Sequence, residues 1–476
     1  MRDPFTHPYC DAEDLGLAIP DSDHAVSMCL PRWTHVVGYE EGDQEIIDTF
    51  ECGYPRFVAH PLVADLFLAA QQEFAKSGES ALVFPSLAAA WRCADYVKQR
   101  TGKSCRLESY GWGNLTVVLL DESVYDTAWK CWQHGGEIVS SRLAESALSD
   151  APLDPAVVGA GEKAGTILRE RIASFYDGAS PEDVFLFSSG MAAIFAIHRV
   201  LTKRQPGEPT IQIEFPYLDS FKVQEEFGTG VIDFSVTESG GVEELRARFA
   251  EGKSAAAVYT EVPSNPLLRT ADLAGLAEIL REQEVPLIVD DTIATSVNVD
   301  SFRFADAVTT SLTKAFSGVG DVAAGSVVLN PASPCYAFLK AEMSAEEAAS
   351  PLFERDVIAL EVNSRHYQER VEATNENALE LVEWLKARPE VKSLWHPSTI
   401  CTAYYDAVRR AEGGYGALLS MELDGGEPAA AAFYDALGLS KGPSLGTNFS
   451  LVCPYTLLAH YRELDWAAER GAVRNL

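Results

Sequence analysis

The residues able to do chemistry cluster where apolar, β-rich runs end. DVFLF (183–187) leads into Ser188, Ser189, Gly190 and Met191, and then into the helical pattern MAAIFAIHRVL. Small residues at a helix N-terminus let backbone N–H groups approach a phosphate, with the helix dipole adding to the attraction. An ordinary serine N-cap fits the same residues. PLIVDD (286–291) sets Asp290 at the end of a second apolar run. A carboxylate there needs a backbone donor, a cation or a protonated ring nitrogen on a ligand; a cap on the following loop is the plainer alternative. DAVTTSLTK carries Ser311, Thr313 and Lys314 to a third run end, 24 positions beyond Asp290. Hydroxyls beside a lysine can bind phosphate, and a lysine whose pKa burial has lowered can form a Schiff base, although a single lysine is more often solvated. A phosphate cup, an acid and an amine at three strand ends of one sheet are the parts that hold pyridoxal phosphate (PLP).

Such a site needs a large sheet to carry it. Between 160 and 330 the runs 183–187, 210–215, 231–236, 255–261, 286–291, 306–312 and 325–330 read as seven strands. Several are apolar on both faces, and helical stretches such as GEKAGTILRERIASFY and LAGLAEILREQ separate most of them. This pattern predicts an α/β domain over 151–330, its mainly parallel sheet covered by helices on both faces. Ligands of such sheets sit beyond the carboxyl ends of the strands. Residues 1–60 are rich in Pro, Asp and Gly and read as an extended arm, which must lie on its own body or on a partner subunit. In 61–150, ADLFLAAQQEFAK and LAAAWRCADYVKQR read as helices and LTVVLL as a strand, an α/β segment with no catalytic motif. From 331 to 476 a smaller α+β domain is expected, with an interrupted helix over about 352–389 and a strand at GALLSMEL (416–423).

Composition narrows the function. The 476 residues carry 38 Lys plus Arg against 70 Asp plus Glu, a formal net charge of −32. That field repels nucleic acid and anionic membranes, so neither is expected as a partner. The acid- and proline-bearing start MRDPFTHPYCDAEDLG lacks the apolar region of a signal peptide, and the cytoplasm is the expected compartment. Nine cysteines without a CxxC pair suit reduced thiols, and no histidine cluster of the HExxH kind supports a metal.

Four runs then carry a family resemblance: FLFSSGMAAI (185–194), YTEVPSNPLLR (259–269), LIVDDT (287–292) and SLTKAFSGVGDVAAG (311–325). In order and spacing they resemble the Cys/Met-metabolism family of PLP-dependent enzymes, which has the aspartate-aminotransferase type of fold (fold type I). HAVSMCLPRWTHVVGYEEGD (24–43), GYPRFVAHP (53–61), FPYLDSFKV (215–223), KGPSLGTNFSLVCPYTLLAHY (441–461) and ELDWAAE (463–469) are similar to the fungal type of cystathionine γ-synthase. By position, the resemblance makes Lys314 the Schiff-base lysine and Asp290 the partner of the pyridine nitrogen. It makes Ser189, Gly190 and Met191, with the Ser311 and Thr313 hydroxyls, the phosphate site. Asn265 falls where the family reaches the ring hydroxyl, and Tyr217 where a tyrosine stacks on the ring. Tyr54 and Arg56 match a pair that family members donate to the neighbouring subunit's phosphate, which implies a homodimer or homotetramer with shared sites. Ser444 matches a loop that binds the substrate carboxylate.

The activity implied is γ-replacement on an O-acyl-L-homoserine by cysteine, giving cystathionine for methionine biosynthesis, with Lys314, Tyr54 and Tyr217 moving protons. Sulfide, a carbon nucleophile, or γ-elimination without an acceptor are alternatives that use the same cofactor motifs. Two departures from the family are visible. Arg56 and Gly190 stand 134 positions apart, so 61–150 reads largely as an insertion without an assigned role. The chain also ends at GAVRNL, where the family continues to an arginine that clamps the substrate carboxylate. Truncation is one expectation; a non-catalytic, PLP-binding member is another.

Overall fold

The computed structural model describes residues 2–111, 114–149, 151–235, 237 and 239–476. In the inserted segment the two predicted helices form over Pro61–Phe74 and Leu87–Thr101. Each has a local reason to start: Pro61 occupies the first turn behind His60, and the Ser86 hydroxyl accepts from the Ala89 N–H. LTVVLL forms a strand as expected, but in a sheet of three. The strands are β1 (Glu79–Phe84), β2 (Arg106–Ser109) and β3 (Thr116–Asp121), antiparallel in the order β1-β3-β2. Leu66, Leu82, Val118 and Trp132 are buried together, giving the segment its own apolar core.

All seven runs of the central region become strands of one sheet. These are β4 (Val184–Phe187), β5 (Thr210–Ile213), β6 (Val231–Phe234), β7 (Val258–Glu261), β8 (Leu287–Asp290), β9 (Ala307–Ser311) and β10 (Gly325–Leu329). Val236, the last residue of the run read as β6, lies outside the described residues. The order is β4-β10-β9-β8-β7-β5-β6, and only β10 runs antiparallel to its neighbours. One face buries Ile211, Val258 and Val289 against helices that include Leu168 and Leu276; the other buries Phe185, Ile288 and Val327 against Ala196 and Leu339. The sheet is thus covered on both sides, which is why its strands carry little alternation.

The boundary expected at 331 falls inside this packing. Leu339 and Met343, on the helix Tyr336–Ala349, join the cluster of β4 and β10, and Val357 and Leu360 join the larger core on the other face. A change in helical content does not mark a domain edge when the helix buries its apolar face against the preceding sheet. The predicted interrupted helix is Glu354–Asn363 and Tyr367–Lys386, separated by a short 3-10 turn at Ser364–His366. GALLSMEL contributes β12 (Ser420–Leu423), which pairs with β11 (Val391–Trp395), a strand the sequence pattern did not reveal. The arm lies on its own chain. Leu30, Trp33 and Val36 pack with Tyr434 and Leu457, the Leu30 N–H donates to the Lys441 carbonyl, and Ser27 Oγ donates to the Pro443 carbonyl at 2.6 Å.

Candidate active site

One pocket, beyond the carboxyl ends of β4, β7, β8 and β9, brings together every residue singled out in the sequence. Its floor is the turn after β4. Ser189 Oγ accepts from the Ala192 N–H at 3.0 Å and donates to the Gly136 carbonyl at 2.7 Å. The N-cap reading therefore holds for the serine side chain, and the first-turn N–H groups of Gly190 and Met191 are the donors left for an anion. A Cβ on Gly190 would come within 2.7 Å of the Ser311 Cβ, so only glycine lets this turn close over β9. Thr313 Oγ1 accepts from the Ala324 N–H at 3.0 Å, which fixes its hydroxyl at the rim.

Asp290 ends β8 and accepts from the Thr292 N–H at 2.8 Å. Burial pushes its carboxyl up from the usual range, the cost that a protonated ring nitrogen over it would offset. In register beside it on β7 is Glu261, which accepts from the Tyr217 N–H at 2.5 Å. Burial, and then Asp290, push the Glu261 carboxyl far up; the neutral acid of this pair is Glu261, leaving Asp290 to carry the charge. Lys314 donates to Ser444 Oγ at 2.9 Å, and its amine lies 5.8 Å from the centre of the Tyr54 ring. Burial, with Arg56 adding repulsion, brings this amine down to about 8. Ser444 adopts φ 96°, a left-handed conformation that a serine holds only where its surroundings fix it.

The third wall joins arm, insertion and large domain. Arg56 donates to Asp219 at 2.5 Å, to the Tyr217 hydroxyl at 2.6 Å and to the Gln133 carbonyl at 3.1 Å. Asp219 also lies 2.7 Å from Nδ1 of His134. Burial opposes the charge of Asp219, but Arg56 and His134 overcome it and hold the carboxyl at about 2. The resemblance implied that Tyr54 and Arg56 reach a neighbour's site; here both line the same pocket as Lys314 of their own chain. The physical reason is the arm's path, which is pinned to the C-terminal part of its own chain before it turns into the pocket. Asn265 lines the wall opposite, next to a cis bond to Pro266. Arg474, the basic residue nearest the position of the family's clamp, instead pairs with Glu427 at 2.9 Å.

Sequence reasoning missed Asp219, Glu261, His134 and Cys453, all at or against this pocket. Asp219 sits inside the run FPYLDSF and Glu261 inside YTEVPSNPLLR, so both were within reach of a motif reading. His134 lies in the insertion, where nothing in its neighbourhood distinguishes it. The residues present fit PLP: backbone donors at a helix N-terminus, a glycine that no Cβ could replace, a buried carboxylate and a buried amine near neutrality.

Comparisons with known proteins agree. Residues 160–468 match the family model described as Cys/Met metabolism PLP-dependent enzyme, and residues 62–140 match the fungal trans-sulfuration enzyme N-terminal domain. The chain is 32% identical to a cystathionine gamma-synthase of Neurospora crassa, over 97% of this chain and 94% of that protein. It is 30% identical to an L-2-amino-4-chloropent-4-enoate dechlorinase/desaturase of Streptantibioticus cattleyicolor, over 96% and 91%. The structure of a cystathionine gamma synthase from Xanthomonas oryzae, in complex with aminoacrylate and cysteine, superposes with a TM-score of 0.57 at 25% identity, covering 67% of this chain and 81% of that one. Seven strands in the predicted sheet, a lysine and an acid at its carboxyl edge, and a match over most of the chain lead to one conclusion: the chain belongs to the Cys/Met-metabolism family of PLP-dependent enzymes.

Proposed function

We propose that the chain catalyses γ-replacement on an O-acyl-L-homoserine with L-cysteine as acceptor, releasing the carboxylic acid and giving cystathionine. The observation that carries this reading is the setting of Lys314, a buried amine near neutrality, hydrogen-bonded to Ser444, under the Tyr54 ring and in one pocket with Asp290. Bound PLP supplies an aldehyde for an amino group and an electron sink for charge at the α carbon.

The residues of this chain do the rest. Asp290 holds a positive charge at the base of the pocket. Lys314 Nζ takes the proton from the substrate α carbon; an amine brought down to about 8 has a usable neutral fraction at physiological pH. Burial pushes the Tyr54 hydroxyl up to about 12 and that of Tyr217 well up, so both stay protonated and can donate as protons pass to and from the β carbon. Ser444 orients the amine and presents its hydroxyl to the substrate carboxylate. Loss of the acyloxy group from the γ carbon then leaves a site for the cysteine thiolate. The choice of acceptor is supported by the name of the Neurospora relative and by the cysteine bound in the Xanthomonas structure. The cytoplasm, where thiols stay reduced, suits such an acceptor.

Elimination without an acceptor is a second reading, favoured by the dechlorinase/desaturase relative. Incubating the holoenzyme with O-acetylhomoserine plus cysteine, plus sulfide, or alone separates them. Cystathionine is the expected product with cysteine, and its absence while keto acid accumulates in all three mixtures would replace the first reading by the second.

A further inference from the structure

The insertion between arm and large domain reaches the active site. The helix Tyr125–Gly135 ends against the phosphate cup, and Gly136 with φ 66° follows it. The Gly136 carbonyl accepts from Ser189 Oγ at 2.7 Å, and a Cβ on Gly136 would stand 2.6 Å from both Ser189 Oγ and Met191 Cβ. No side chain fits that approach. Two residues earlier, His134 lies 2.7 Å from Asp219, whose other oxygen holds Arg56; the adjoining Gln133 carbonyl accepts from Arg56 as well. The His134 and Asp219 side chains are 13% and 2% exposed, so water competes little for this chain of bonds. Because Asp219 is ionised, it accepts and His134 donates. The contact is broad: Tyr96 stacks on Phe227 at 4.8 Å, and Arg142 donates to the Asp321 carbonyl at 2.7 Å.

We propose that the segment 62–140 completes the active site within one chain, with His134 as the positioning residue that orients Asp219 and, through it, Arg56 toward the cofactor phosphate. A guanidinium has five N–H donors, and three are engaged by Asp219, Tyr217 and Gln133, which leaves two in a fixed plane for an anion. Tyr54 and Arg56 then serve the Lys314 of their own chain, whatever the number of chains in the assembly. The proposal rests on PLP binding alone and is independent of which nucleophile the enzyme uses.

Two experiments test it. Arg56→Ala and Lys314→Ala chains, carrying different tags, are co-expressed and the hybrid is isolated. If sites are completed in cis, the hybrid retains PLP through gel filtration no better than Arg56→Ala alone and has no turnover. Recovery of wild-type retention and turnover at half the sites overturns the proposal. If the wild-type chain runs as a monomer and no hybrid forms, retention of cofactor by that monomer supports the proposal and its loss overturns it. For His134, the PLP dissociation constant is measured by equilibrium dialysis. His134→Ala is expected to weaken binding about tenfold, His134→Asn to restore most of it because its amide N–H replaces Nδ1–H, and His134→Ala to add nothing in the Arg56→Ala background. Equal affinity in all variants, or full additivity, overturns the positioning role.

Discussion

Ser444 and Lys314 are 130 positions apart in the chain, and the lysine amine lies 2.9 Å from the serine hydroxyl. The loop that supplies Ser444 holds it at φ 96°, so the contact is built by the backbone and is not a chance rotamer. Replacing Ser444 by alanine removes one neutral partner from the amine and one donor from the substrate face. The expected outcome is about a tenfold fall in kcat/KM with cofactor content unchanged, measured by steady-state kinetics and borohydride-fixed PLP on the purified variant.

Lys314 also makes a prediction about pH. Its folded pKa of about 8 lies below the ordinary 10.5, so between these values the unfolded chain binds more protons than the folded one. Stability of the cofactor-free protein therefore gains from this group as pH rises from 8 toward 10.5, and the penalty of burying the amine is full below 8. Urea unfolding of the apoprotein at pH 8 and pH 10 is expected to show this gain relative to Lys314→Met; identical pH slopes in the two proteins would disprove the depressed pKa.

Asp219 is ionised although buried, because Arg56 and His134 hold it so. Asp219→Ala leaves a buried guanidinium without its counter-charge, which is expected to cost about 3–5 kcal/mol of stability. Asp219→Asn keeps the hydrogen-bond geometry to Arg56 without the charge and is expected to cost less. Denaturant titrations of the three proteins give the order directly.

Asp290→Asn tests the acid at the end of β8. The Thr292 N–H can still donate to the amide oxygen, so the fold should persist. Loss of the negative charge is expected to lower kcat on the order of a hundredfold while PLP remains bound. A variant with near wild-type kcat would remove Asp290 from the mechanism.

Gly190→Ala tests the cup. The added methyl meets the Ser311 Cβ at 2.7 Å, between two backbones that cannot both give way. Weaker PLP binding with a cost of about 1–3 kcal/mol is expected, read as a raised dissociation constant and a lower melting temperature of the holoenzyme.

The amino-acid sequence by itself determined the sheet and the polar ends of its strands. Runs such as PLIVDD and DAVTTSLTK must be buried along their length, and burial forces the polar residues that follow them to the sheet's carboxyl edge, where Asp290 and Lys314 indeed lie. Motif order made the cofactor legible for the same reason, since each motif is local in the chain. Tertiary structure alone decided what joins those ends. β11 was hidden because VKSLW is short and half-buried, and the boundary at 331 was misplaced because an apolar helix face does not say which layer it covers. His134 and Asp219 are 85 positions apart, and no local pattern encodes their contact. Only the folding of the insertion onto the large domain sets them side by side, and with them the placement of Tyr54 and Arg56 in the pocket of their own chain.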